Sequence, residues 1–425
     1  MLYAVKPPAA SPRPSQLVRE PSPEGGHDAE DMRLVLRNAL RTFTSTPLQA
    51  PQLRSYAEYL ESMAYAGPTR WFDAPSRLAW AWRDYFELAD RVERQLTLRP
   101  EEHDADQVRR VLVSAMTLLT SRVLAFATQE ARANPKAVTV PLVATASRAS
   151  SRTRRWCSDD EPGKAQMLGV LSYSVIDVAS QAVERLTHDD SCTAELVQET
   201  SRALDEVLAT LRQLAGHHAP DACFDDADEG ANAQPSRAVR ALRGLAWSHD
   251  VLGQAGVAPR QGQVEDMLGL LETMWQSAQG RPHELPTLIG SAAHLTSTWA
   301  TLVDSGTVKT VTPATRSLWL ARQASVRAGD DLGLAKTLLE VAQAAAAVAG
   351  LAIQRGVGNG IGLAAHTADL VETVVRRTSG RLSGETFFEP VANLTMVAAD
   401  ARDRGLPQSA ELFDRIAGLN VVTRR

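Results

Sequence analysis

The sequence predicts an all-α chain, an α-solenoid or multi-helix bundle array of antiparallel helices with few or no strands. Three observations carry that expectation. Apolar residues recur at three- and four-residue steps along most of the chain, and no run sustains period-two alternation. Hydrophobic residues are plentiful at 44% while aromatics are only 5%. That mixture suits close helix packing better than sheets, which favour β-branched and aromatic side chains.

The elements follow in order. Residues 1–30 carry Pro7, Pro8, Pro12, Pro14, Pro21 and Pro23 with several serines and no acid before Glu20. Such a segment cannot bury enough apolar surface to offset its ordering entropy, so disorder is expected there. From about Asp31 the pattern turns helical. Leu78, Trp82, Tyr85, Ala89, Val92 and Leu96 form one helical stripe, and Pro75 suits a first turn, where its missing N–H costs nothing. Leu196, Ala203, Val207, Leu211 and Leu214 form another between Ala194 and Leu214. Further helices are expected around 51–66, 103–131, 141–156, 164–187, 236–254, 261–279, 286–304, 313–328, 331–354, 361–377, 386–403 and 407–418. Thr312 and Pro313 read as an N-cap followed by a first-position proline. The domain reading is a disordered segment over 1–30, an N-terminal helical half over 31–216, an acidic linker over 217–235 and a C-terminal helical half over 236–425.

Three helix starts look alike, at Pro141, Pro286 and Pro390. Their separations of 145 and 104 residues lie near four and three multiples of a period in the mid-thirties, which is solenoid territory.

Composition narrows the function classes. A net charge of −5 with 22% charged residues sets up no global field that demands nucleic acid or an anionic membrane. Basic charge is almost all arginine, the lysines being Lys6, Lys136, Lys164, Lys309 and Lys336. With the abundant alanine this reads as a GC-rich coding genome, and so a bacterium. Cys157, Cys192 and Cys223 are too few and too far apart for a disulfide framework or a CxxC site, so a reducing compartment is expected. The most apolar run, Val341 to Gln354, is shorter than the roughly 18 residues a membrane span needs. It reads as a buried helix whose alanines admit close neighbours. No hydrophobic core follows Met1, so no secretory signal peptide and no membrane span are expected.

The chemically densest stretch, "GHHAPDACFDDADEGANAQPS" from Gly216 to Ser236, holds His217, His218, Asp221, Cys223, Asp225, Asp226, Asp228 and Glu229. Adjacent histidines on a helix diverge by about 100° and cannot readily share one ion. The glycine and distal glutamate of a calcium loop are missing. A solvated linker closed by Gly230, Asn232 and Pro235 is expected, with no metal and no cofactor. Asp225, Asp226 and Glu229 nevertheless match the DDxxE form of the aspartate-rich motif of class I terpene synthases. That resemblance implies a metal-dependent all-α enzyme. The second metal motif departs from the pattern, since "DDLGLAKTLLE" from Asp330 has Leu334 and Leu338 where a hydroxyl residue and a glutamate are needed.

"RGVGNGIG", from Arg355 to Gly362, follows a helix instead of a strand and lacks a Lys-Ser/Thr, so it reads as a glycine C-cap and turn. "SRASSRTRRW" places Arg148, Arg152 and Arg155 on one helical face with Arg154 nearby. It is the candidate contact for phosphate, RNA or an acidic partner surface, weighed against a solvated face. Arg237, Arg240 and Arg243 form a second cluster. Trp80, Trp82, Trp247, Trp275, Trp299 and Trp319 are expected in the core, and His294 and His366 read as satisfied core histidines.

"FFEPVANLTMVAADARDRGLPQSAELFDRI", from Phe387 to Ile416, resembles degenerate helical-repeat families such as octotricopeptide-like and heptatricopeptide-like repeats, with Met396 where their signature has tryptophan. The proline- and serine-rich start resembles the export signals of bacterial type III secreted effectors. These resemblances imply a non-enzymatic helical-repeat protein that binds a macromolecule, foremost a protein. As an effector it would move from the bacterial cytoplasm into a host cell. RNA binding through the arginine faces and a metal-dependent enzyme at Asp225, Asp226 and Glu229 are the alternatives.

Overall fold

The computed structural model describes residues 138–157, 164–188, 194–217, 234–378 and 381–423, with parts of 83–94 and 110–132. The export-like segment over 1–30, the helix expected at 51–66 and most of the acidic stretch lie outside these residues. Among the described residues there is no strand. Helices α1 (Val140–Trp156), α2 (Lys164–His188), α3 (Ala194–His217), α4 (Arg237–Gln254), α5 (Gln261–Ser277) and α6 (Leu285–Asp304) are followed by α7 (Thr312–Ala324), α8 (Leu332–Arg355), α9 (Gly360–Thr378), α10 (Gly384–Asp403) and α11 (Ser409–Thr423). The 3.6-residue stripes place these elements within a few residues of their expected bounds. Thr312 differs from its expected role. It is the first helical residue, Val311 takes the cap position, and Thr310 Oγ1 accepts the Thr312 N–H at 3.1 Å.

The chain forms two compact units, Met1–Met167 and Leu168–Arg425. The division falls in the first turn of α2. On either side of the expected linker at 217–235, α3 packs against both α4 and α5.

In the first unit, helical residues 85–94 and 110–117 share a core with α1 through Leu88, Val92, Leu112, Met116, Leu142 and Val143, all buried. Three hydroxyls meet inside it. Tyr85 Oη lies 2.7 Å from Thr120 Oγ1 and 3.3 Å from Thr153 Oγ1. Both threonines also donate to backbone carbonyls of their own helices, so the phenol's polar end is satisfied in an apolar setting, and burial pushes its pKa up.

The second unit is a two-row array. One row is α4, α6, α8 and α10, each packed against the next. The other is α3, α5, α7, α9 and α11, whose members also touch in succession and back onto the first row. The first row has the more continuous packing and is called the inner row here. Small residues let its helices approach closely. Ala345, Ala346 and Ala349 of α8 are fully buried, and a Cβ on Gly350 would sit 3.2 Å from Val397 of α10. By length and composition α8 is apolar enough to cross a membrane, and more than half of its most apolar window is buried within the array. The expectation of a core helix there is met, over a longer helix than the apolar run.

The repeat has a different length from the expected mid-thirties. Inner-row helices begin at Arg237, Leu285, Leu332 and Gly384. Each ends at a glycine with positive φ, namely Gly256, Gly306, Gly356 and Gly405, spaced 50, 50 and 49 residues apart. After each glycine the next N–H bonds back five residues, as Val257 to Leu252, Thr307 to Leu302, Val357 to Ala352 and Leu406 to Ala401, at 2.8–3.1 Å. This is the Schellman closure, which needs a left-handed residue that only glycine adopts without strain. Nothing lies within 4 Å of a Cβ added at any of the four, so backbone conformation alone selects glycine. Pro141, Pro286 and Pro390 are not equivalent positions. The first two open their helices, while Pro390 lies inside α10. The expected turn at 355–362 is the third of these closures, and Asn359 Oδ1 then accepts the Gly362 N–H at 2.8 Å to start α9.

Candidate partner-binding groove

The inner row leaves a groove of about 780 Å³ between α8 and the first half of α10. From α8, Lys336, Glu340 and Gln343 reach it at helical spacing, and from α10, Glu385, Phe388 and Glu389. Phe388 is 71% exposed, a large apolar side chain held in water on an ordered helix. Gln343 Nε2 donates to Glu389 Oε2 at 3.0 Å, tying the two walls together. Glu340, Glu385 and Glu389 have no ion-pair partner among the described residues. Other carboxylates of the array do: Glu272 with Arg316, Asp304 with Arg355, Asp369 and Glu372 with Arg415. Pro390 sits inside α10 and lacks an N–H, so the Thr386 carbonyl loses its usual helical donor, and both residues line the groove.

Further along the inner row, His294 Nδ1 of α6 lies 3.0 Å from Asp250 Oδ2 of α4, and Gln254 Nε2 donates to the other carboxylate oxygen at 3.2 Å. No hydroxyl or thiol is hydrogen-bonded to this histidine's ring among the described residues. His249, one residue before Asp250, is deeply buried, and burial pushes its pKa down to about 4.

The arginines expected to act together are divided. Arg152 is half-buried and turned inward, paired with Asp90 at 2.6 Å and with Glu93, with its guanidinium 5.4 Å from the Trp156 ring. Arg154 is half-buried, while Arg148 and Arg155 are exposed. A partner or anion would therefore meet two separated cations instead of a four-arginine face. The second cluster is also built into its unit. Arg240 lies 4.4 Å over the Tyr173 ring of α2, and the Arg243 guanidinium occupies the space above Gly290 of α6.

Asp225, Asp226, Glu229 and the cysteine at 223 lie outside the described residues. Among those that are described, no group of three or more histidines, cysteines or carboxylates is placed to hold a metal ion. Asp331, in the segment compared with a second metal motif, caps α8 by accepting the Gly333 and Leu334 N–H groups at 2.7 and 3.0 Å. Two core expectations are corrected. Trp299 and Trp275 are buried, donating to Thr310 O and Gln323 Oε1, but Trp319 is 55% exposed on the outer row. His366 is exposed too, sharing Arg322 and Asp369 at the α7–α9 crossing, because its stripe position faces along the row and not into it.

No family model matches the sequence, and no curated protein matches it. Among solved structures, the fold is similar to a circular tandem repeat protein with a novel repeat topology, at 17% identity and a TM-score of 0.35, covering 93% of this chain and 88% of that one. It is also similar to Nro1, a hypoxic regulator of sterol synthesis described as a nuclear import adaptor, at 11% identity and a TM-score of 0.34, covering 92% and 99%. A second structure of Nro1, from S. pombe, gives 11% and 0.30, covering 86% and 99%. At scores this low the likeness carries no functional weight, and the helical-repeat architecture rests on this chain's own packing.

Proposed function

We propose that this chain is a non-enzymatic helical-repeat protein that binds a protein partner along its inner row, with the α8–α10 groove as a principal contact. The observation that supports this most is the groove itself, which combines an exposed Phe388 with carboxylates on two ordered helices that have no ion-pair partner among the described residues. Repeat arrays bind through such surfaces because successive helices present side chains at a fixed spacing. A large exposed apolar residue rimmed by charge is the composition of a contact surface. RNA binding gains no support from the arginines, since Arg152 and Arg240 are engaged within their own units. Placement as a bacterial effector delivered to a host cell rests on the composition of residues 1–30. It stands or falls with whether residues 1–50 carry a reporter out through a type III system.

The binding reading is tested with a photo-reactive side chain placed at position 388 on the inner row and at 319 on the outer row. The full chain is irradiated in extracts of the cell where it acts. A discrete adduct from 388 and none from 319 is expected. Equal labelling from both rows, or none from 388, would refute it.

A further inference from the structure

We infer that the partner segment received by the α8–α10 groove is an arginine-bearing basic stretch of a protein, with apolar side chains among its arginines. This inference rests on the binding function proposed above and narrows its partner. The groove's lining is half apolar, and its charged side chains are mostly carboxylates. Glu340 projects from one wall and Glu385 and Glu389 from the other, against Lys336 as its one lining cation. None of the three carboxylates is neutralised by an arginine or lysine among the described residues, while comparable groups across the outer row are. The Thr386 carbonyl adds an acceptor that Pro390 cannot satisfy. A ligand that fits such a lining must bring donors and positive charge. An anion, a nucleic acid backbone or an acidic peptide would meet like charge.

Phe388 selects between the two basic side chains. Its ring stands three residues, about one turn, from Glu385 on the same helix, so a single cation can meet both the ring and that carboxylate. A planar guanidinium stacks on an aromatic face while donating bidentately to a carboxylate beside it, which a compact, strongly hydrated ammonium does less well. Phe388 also offers apolar surface to a neighbouring side chain, which gives the segment a second requirement besides charge.

The test uses the full chain and two fluorescent peptides of equal length. One alternates arginine with leucine, and the other alternates glutamate with leucine. Saturable binding of the arginine peptide is expected, weakening as salt is raised, with the glutamate peptide not bound. The double variant Glu385→Lys/Glu389→Lys should weaken that binding at least roughly tenfold, and Phe388→Ala should weaken it as well. The milder Glu385→Gln/Glu389→Gln pair, checked by an unchanged thermal transition, separates lost charge from lost fold. Equal binding of both peptides, or binding of the arginine peptide that is indifferent to all these variants, would overturn the inference. An adduct from position 388 that maps to a partner surface without arginine or lysine would leave the binding function standing and remove this partner class alone.

Discussion

The two rows of the second unit are held in different ways. The outer row is stitched by polar pairs at each step: Asp205 and Gln263 with Arg212 and Asp266 between α3 and α5, then Glu272 with Arg316 and Trp275 with Gln323 between α5 and α7. Arg322 with Asp369 follows, and Arg415 with Asp369 and Glu372 closes the series. The inner row is held mainly by small residues and buried aliphatic side chains, with side-chain pairs at Asp250–His294, Asp304–Arg355 and Gln343–Glu389 among the interactions described. Ion pairs on a half-exposed row fix register at little net energy, while burial on the inner row supplies stability. Glu340 and Glu385 take part in none of the interactions described and face the groove, where a partner can use them.

That contrast can be broken most severely in the inner row. Trp299→Ala removes a fully buried indole and orphans the Thr310 carbonyl, and should cost about 3–5 kcal/mol by chemical denaturation. A loss under about 1 kcal/mol would mean the inner row is not the stabilising one.

Acid should reach the inner row through His249. Its pKa lies near 4 in the folded chain, whereas the unfolded imidazole takes a proton below about 6.5. Between those values the unfolded state binds more protons, so stability falls as pH drops through the window, by about 2–3 kcal/mol by pH 4.5. His249→Gln should flatten that slope, measured by urea unfolding at neutral and acid pH. A slope that survives the substitution would assign the acid sensitivity to other groups. On the outer row, Arg415 holds the Glu372 carboxyl below the usual range, so its stitch weakens only as pH falls through that lowered value.

The smallest effect belongs to the outer row. Breaking Glu272–Arg316, whose side chains are 28% and 39% exposed, should cost less than about 1 kcal/mol and fade with added salt. A double-mutant cycle that returns several kcal/mol, insensitive to salt, would give the outer row the stabilising share instead.

Much of this was legible in the chain. The stripe Leu196, Ala203, Val207, Leu211 and Leu214 fixes a helix because its spacing matches the helical turn and no alternation competes. The closure at Gly356 was legible for the same local reason. The repeat length was not legible, because prolines that resemble one another occupy unlike positions. The signal that carries it, a glycine followed by an apolar or hydroxyl residue at 256, 306, 356 and 405, is short and recurs only every fifty residues. The groove was not legible, although Phe388 and Glu389 belong to the segment that resembles helical repeats. Its lining residues lie up to 56 positions apart, from Lys336 to Ala392.

The sequence by itself determined the helices, the glycine closure at Gly356 and the all-helical class, since these depend on neighbours within about four residues. Tertiary packing alone decided which charges are used up. Arg152, one of three arginines on a regular face, is taken by Asp90 and Glu93 about sixty residues away, while Glu385, at the start of α10, has no ion-pair partner among the described residues. Charge pairing between helices depends on their register across a crossing, and periodicity along one helix carries no information about that.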